Sequence, residues 1–212
     1  MPSLGSVTPQ FRQLISNLEY AERMVAVGEH MKAEEDLYRA AWVQAVAALD
    51  HWVHQEVYER ATAIAMNSTA GRSKRFNAFE IPWGRVEEIH NQGRRMEDVF
   101  REVLEERLGH ESYQSTRRIG EAFSLLLHHI SAATMWQRAA KHLDDAGHSP
   151  GLTKEQLVAY HDGIIVRRRN QIAHESDINP ATGKRRPLTR QETAEAVTWI
   201  RHLAEALTST IR

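Results

Sequence analysis

Between Glu34 and Met66 the chain has neither glycine nor proline, and its apolar residues fall at Tyr38, Trp42, Ala45, Val46, Leu49, Trp52, Val53 and Val57. That i, i+4, i+7, i+8, i+11 pattern is the stripe of a helix with a buried face. A strand needs a period of two, and no stretch of the chain shows convincing alternation. Glycines and prolines (11 and 6 in 212 residues) cluster at a few breaks, so the intervals between them are long enough for helices.

Thr8 to about Met31 reads as a first helix, with Gly28 as a point of interruption. The polar segment Asn67–Asn77, with Gly71 as breaker, ends the helix over 34–66. Pro82 suits the first turn of a helix running to about Leu108, before Gly109. Ser112 to about Gly147 carries one or two more, with a split near Ser131–Thr134. Pro150-Gly151 is a firm break. Behind it, Thr153-Lys-Glu-Gln156 has the form of a capping box, opening a helix over about 153–175. A turn-rich loop, Asp177–Gly183, follows. Thr189-Arg-Gln-Glu192 is a second capping box, and the last helix, about 189–210, places Val197, Ile200, Ala204, Leu207 and Ile211 on one face. The expectation is an all-α single domain over 1–212, an up-and-down bundle of six or seven helices, with 1–31 as an N-terminal helical extension.

Lysines and arginines number 27 against 28 acids, a net charge of −1 with the 12 histidines neutral. That balance gives no global sign of nucleic-acid binding. The absence of cysteine excludes a disulfide scaffold, a cysteine-ligated zinc site and a cysteine nucleophile. No apolar stretch approaches the length of a membrane span. The N-terminus lacks the basic-then-apolar pattern of a secretory signal, so the expected location is cytoplasmic, with no membrane partner.

The average conceals a separation of charge. The first fifty residues hold four basic and seven acidic groups, for a local −3. Residues 167–190 hold seven basic groups and only Glu175 and Asp177 as acids, for a local +5. Such a patch reads either as a phosphate-binding surface or as a solvated turn paired with the acidic N-terminal region.

The densest stretch of functional side chains is Arg167-Arg-Arg-Asn-Gln-Ile-Ala-His174-Glu-Ser-Asp-Ile-Asn-Pro180. With 22 arginines the Arg-to-His spacing alone recurs, at Arg85…His90 and Arg23…His30. Those two lack a polar residue after the arginine and lack the Ile-Ala-His-Glu context. The run Arg169-Asn170-Gln-Ile-Ala-His174 resembles the signature of the HEPN superfamily (higher eukaryotes and prokaryotes nucleotide-binding domains). There an arginine followed by a polar residue precedes a histidine by four to six intervening residues. Arg167 and Arg168 also satisfy the spacing, but Asn170 fills the polar slot after Arg169. The specific resemblance covers about 16 residues. A looser architectural one, a four-helix core with extra helices, covers roughly 34–208.

The resemblance implies a metal-independent endoribonuclease without cofactors, of the toxin or antiviral-defence kind. The 2′-hydroxyl of RNA would attack the adjacent phosphate, leaving a 2′,3′-cyclic phosphate and a 5′-hydroxyl. It implies Arg169, His174 and Asn170 as catalytic residues. Imidazole titrates near neutrality and suits proton transfer, while a guanidinium clamps phosphate and stabilises developing charge. Arg167, Arg168, Lys184, Arg185 and Arg186 would hold the RNA backbone, with Glu175 auxiliary. On a straight helix Arg169 and His174 are about 140° apart around the axis. Either the helix frays before His174, or a two-fold homodimer completes a composite site. An antitoxin protein is a further implied partner. The alternative is a catalytically inactive module of the same fold that binds nucleotide, RNA or a protein.

Other candidates read as structural. His51, His54 and Glu56 have metal-compatible spacing but read as helix surface beside Trp52. His128 and His129, if helical, point about 100° apart. The five tryptophans read as core or interface anchors, with Trp83 the one kept open as a stacking platform.

Overall fold

The computed structural model describes residues 8–29 and 34–211, and all the regular structure there is helical apart from one isolated bridge between Ile178 and Arg185. Residues 1–7, His30 and Met31 of the expected N-terminal extension lie outside the described residues. Helix α1 (Pro9–Gly28) opens on Thr8, whose hydroxyl accepts from the Phe11 amide at 3.1 Å, with Pro9 at the first helical position.

Helix α2 (Glu34–Met66) has the bounds that the periodicity predicts. Glu34, Glu35 and Asp36 in its first turn complement the positive end of the helix dipole. Its burial extends well beyond one stripe: Arg39, Ala41, Ala48, Glu56, Tyr58 and Ala61 are buried along with the apolar positions. The cause is its place at the centre of the bundle. It packs against α1, α5 (Met96–Leu108), α6 (Thr116–Phe123), α9 (Arg167–Glu175) and α10 (Arg190–Thr210).

Two breaks differ from the sequence expectation. Within 67–77, Ser73 caps a one-turn helix, α3 (Lys74–Asn77), because this turn can bury Phe76 against Phe100. The helix expected from Pro82 to Leu108 is two helices, α4 (Trp83–Gln92) and α5, with Pro82 just outside as N-cap. Gly93 lies between them at φ 68, a left-handed conformation that glycine adopts without strain. The chain reverses there, and charged side chains pair across the two helices. Arg94 meets Glu88 at 2.8 Å and Glu102 at 2.6 Å, and Arg85 meets Glu88, Glu102 and Glu106. Arg85 is thereby engaged with acids rather than with His90. The stretch after α6 is irregular up to Ser131, which caps α7 (Ala132–Asp145). His128 and His129 fall in that bend, off any helix, with ring centroids 3.3 Å apart.

Both expected capping boxes are present, at Thr153/Gln156 and Thr189/Glu192. The first opens α8 (Lys154–Tyr160), which continues through a π-helical turn (His161–Val166) into α9. The wider turn is braced by two tryptophans. Trp42 Nε1 donates to the Ile165 carbonyl at 3.0 Å, and Trp199 Nε1 donates to His161 Nδ1 at 3.2 Å. His161 Nε2 in turn donates to the Gln114 carbonyl at 2.7 Å. Burial holds this imidazole below its ordinary pKa, so it is the neutral ring that fits between a donor and an acceptor. Helix α10 closes the bundle against α7, α2 and α1. More helical segments result than the six or seven expected, because Gly93 and Ser73 each introduce one.

Trp52 is 1% exposed and sits edge-on between Phe11 and Phe123 at centroid distances of 6.5 and 5.9 Å. Trp52→Ala is expected to destabilise the fold by about 3–5 kcal/mol. Trp83, at 73% exposure, changed to alanine should shift stability by no more than about 0.5 kcal/mol. Urea denaturation followed by circular dichroism reads both.

Candidate active site

The site begins with how α9 ends. Its last turn, through His174 and Glu175, stays helical, and the chain then takes two successive left-handed residues, Ser176 at φ 51 and Asp177 at φ 59. Such conformations are strained for residues with a Cβ and persist only where surroundings hold them. Here the Asp177 amide donates to the Gln171 carbonyl at 2.9 Å, closing the helix end. The Asp177 carboxylate is fully buried, and its Oδ2 accepts from Arg39 Nε at 2.7 Å and Arg168 Nη2 at 3.0 Å. Its Oδ1 faces Arg186 Nη1 at 3.9 Å. The Arg186 amide donates to the Asp177 carbonyl at 2.8 Å.

This junction accounts for much of the basic segment. Arg168 also donates to the Pro187 carbonyl at 2.9 Å, and burial pushes its pKa below the ordinary guanidine value. Arg186 pairs with Glu175 at 3.1 Å. Arg39 gives its remaining donors to Glu35, Asp36 and the Arg186 carbonyl. Burial opposes the charge on Arg39, and its hydrogen-bonded partners Asp177 and Glu35 outweigh that, leaving its pKa raised. Two of the five residues expected to hold RNA, Arg168 and Arg186, therefore point into the protein and bind its own loop. The other three reach the surface: Arg167 and Lys184 are exposed, and Arg185 pairs with Asp36 at half exposure. Arg190, beyond them, pairs with Glu29 at 2.5 Å. The basic segment and the acidic N-terminal region do meet, but only in part.

Arg169 and His174 come together within one chain. Arg169 Nη1 lies 3.5 Å from His174 Nε2 and donates to Asn170 Oδ1 at 3.2 Å. The helix does not fray before His174, and no second chain is needed for this contact, because a long arginine side chain spans the 140° that separates the two positions. A guanidinium has donors only, so in this contact the imidazole Nε2 accepts. Asn170 is placed to hold the arginine rotamer. Glu175 is directed to Arg186 rather than to the imidazole. His174 is exposed and Arg169 half-buried, and two cavities lie beside other residues. One of about 570 Å³ flanks Arg167, Arg168 and Gln171 on another face of α9, and one of about 940 Å³ lies between α8 and α10.

No family model matches the chain. No curated protein and no solved structure matches it either. The chemistry of the site therefore rests on its own geometry.

Sequence reasoning passed over Asp177 and Arg39. The available signal was an arginine set among the apolar positions of α2, one residue from Tyr38. It also passed over His148, His202 and Glu205, of which His202 and Glu205 carry an i, i+3 spacing. His54, weighed as a ligand, contacts the Asp50 and Leu108 carbonyls at 2.9 and 3.2 Å and joins α2 to the end of α5.

Removing the Asp177 carboxylate takes a 2.7 Å partner from the buried Arg39 and a 3.0 Å partner from Arg168, while Arg39 keeps Glu35 and Asp36. Asp177→Ala is expected to cost about 3–5 kcal/mol, against under about 1 kcal/mol for Asp36→Ala at the surface. Chemical denaturation of the two variants beside the wild type checks the difference.

Proposed function

We propose that this protein is an endoribonuclease acting without a metal, with Arg169 and His174 as its catalytic pair. The observation that carries the reading is the contact of Arg169 with His174 and Asn170 at the end of α9. The resemblance of the Arg169–His174 run to the HEPN signature supplies the reaction class. A contact that lines no enclosed cavity suits a polymer whose phosphates are held in passing better than an enclosed small molecule.

In the reaction, the 2′-oxygen bonds to phosphorus and the bond from phosphorus to the 5′-oxygen breaks. His174 accepts the 2′-proton as general base or, protonated, delivers a proton to the leaving 5′-oxygen. Arg169 binds the non-bridging oxygens, whose charge grows in the transition state. Asn170 keeps Arg169 aimed. A two-fold homodimer would set two such ends in one cleft and divide the base and acid roles between two histidines. A cytoplasmic toxin or antiviral effector, held in check by an antitoxin, is the physiological setting that fits such an activity.

Wild type, Arg169→Ala and His174→Ala are incubated with total RNA, with and without EDTA. The expected result is cleavage by the wild type in both buffers, with 2′,3′-cyclic phosphate and 5′-hydroxyl ends. A loss of about 100-fold or more is expected in each variant, with circular dichroism verifying that each variant keeps its helix content. RNA that is bound but never cut points instead to an inactive binding module. Cleavage that persists in both variants removes the pair from the mechanism.

A further inference from the structure

A second cluster of side chains lies outside the Arg169–His174 contact. His202 and Glu205 stand at i and i+3 on α10, and so share a face. His148 reaches them from the loop after α7. The imidazoles of His148 and His202 are stacked, 3.5 Å between centroids and 10° between planes. One ligating atom from each of His148, His202 and Glu205 lies within 4.8 Å of the others.

The place of His148 is set by backbone structure. Helix α7 ends with Gly147 in the left-handed conformation at φ 71, and the His148 amide donates to the Leu143 carbonyl at 3.0 Å. That six-to-one closure is the Schellman geometry of a helix end. Gly151, also left-handed at φ 75, donates its amide to Asp144 Oδ1 at 2.7 Å and folds the loop back onto the helix. The loop thus brings His148 to the face of α10 that carries His202.

We propose that His148, His202 and Glu205 form a binding site for a divalent transition-metal ion of the zinc type, with one coordination position left open. Two imidazoles and a carboxylate are a donor set that zinc-like ions take, and three protein ligands leave a tetrahedral ion one free position. Magnesium and calcium favour all-oxygen sites. Bonds of about 2.0–2.1 Å put tetrahedral ligand atoms roughly 3.4 Å apart, so the widest pair closes by about 1.4 Å at most. Rotation of the exposed His148 ring out of the stack provides that movement and lets the lone pairs converge.

The surroundings tolerate a cation. Arg201, the adjacent positive charge, is directed to Glu22 at 2.6 Å. Both histidines line the cavity of about 940 Å³, whose wall also carries Glu195, Gln156, Tyr160 and Trp199. An ion held by these histidines would border this cavity, from which a water or an oxygen or nitrogen donor of a small ligand could take the fourth position.

The test uses the tag-free full chain, stripped with EDTA, exchanged into metal-free buffer and titrated with zinc chloride by calorimetry. One saturable site per chain is expected. His148→Ala and His202→Ala should each weaken it by roughly 100-fold or more, beyond the 10- to 100-fold cost typical of losing an outer-shell partner. His51→Ala should leave it unchanged. Since His148 is exposed, its variant keeps the fold, and circular dichroism verifies this. In the wild type, cobalt(II) should give the visible absorption bands of a tetrahedral nitrogen–oxygen site, and His148→Ala should abolish them. No saturable zinc binding by the wild type overturns the proposal, as does the same affinity in the folded His148→Ala chain.

Discussion

The buried carboxylate of Asp177 is the point on which the arrangement around α9 depends. It joins Arg168 on α9 and the following loop that carries Arg186, each nine residues away, to Arg39 on α2, 138 residues away. Burying these charges costs several kcal/mol per ion in lost hydration. Only close, hydrogen-bonded geometry offsets that. Two left-handed residues in succession, each costing about 1–3 kcal/mol, are tolerated at the same point. Such a junction contributes position more than stability. It fixes where α9 stops and where the following loop returns, and it anchors both to the central helix.

His174 lies three residues before Asp177, in the last turn that this junction holds. The orientation of His174 and its meeting with Arg169 thus follow from a contact that neither residue makes. The same junction sorts the basic segment into two populations. Arg168 and Arg186 turn inward to the carboxylate and to loop carbonyls, while Arg167, Lys184 and Arg185 face outward.

The π turn between α8 and α9 is held by donors from two other helices, Trp42 on α2 and Trp199 on α10. Widening the helix shifts the phase of the residues that follow, so the face of α9 is not a continuation of the face of α8. Space opens beside this turn, where the cavity of about 940 Å³ lies. Helix α10 borders that cavity while burying Val197, Ile200, Leu203 and Leu207 on its other side. One helix thereby supplies core packing and, at His202 and Glu205, a polar rim.

What could be read from the residues in order was what local physics governs. The limits of α2 follow from apolar periodicity without a breaker, and the starts of α8 and α10 follow from caps whose partners are three residues away. The motif run also reads directly, since Arg169, Asn170 and His174 lie within six positions. The reversal at Gly93 was not legible, because a glycine in a charged helical pattern turns the chain only when the second helix has something to pack against. Nor were the separate fates of Arg168 and Arg169, neighbours of identical chemistry. Arg168 is drawn inward by Asp177, which also holds Arg39 from 138 residues away. Arg169 is left outside for His174. By itself the sequence determined an all-helical chain with one guanidinium–imidazole run. The tertiary structure decided which arginines are free to act, because burial and ion pairing depend on contacts between residues distant in the chain.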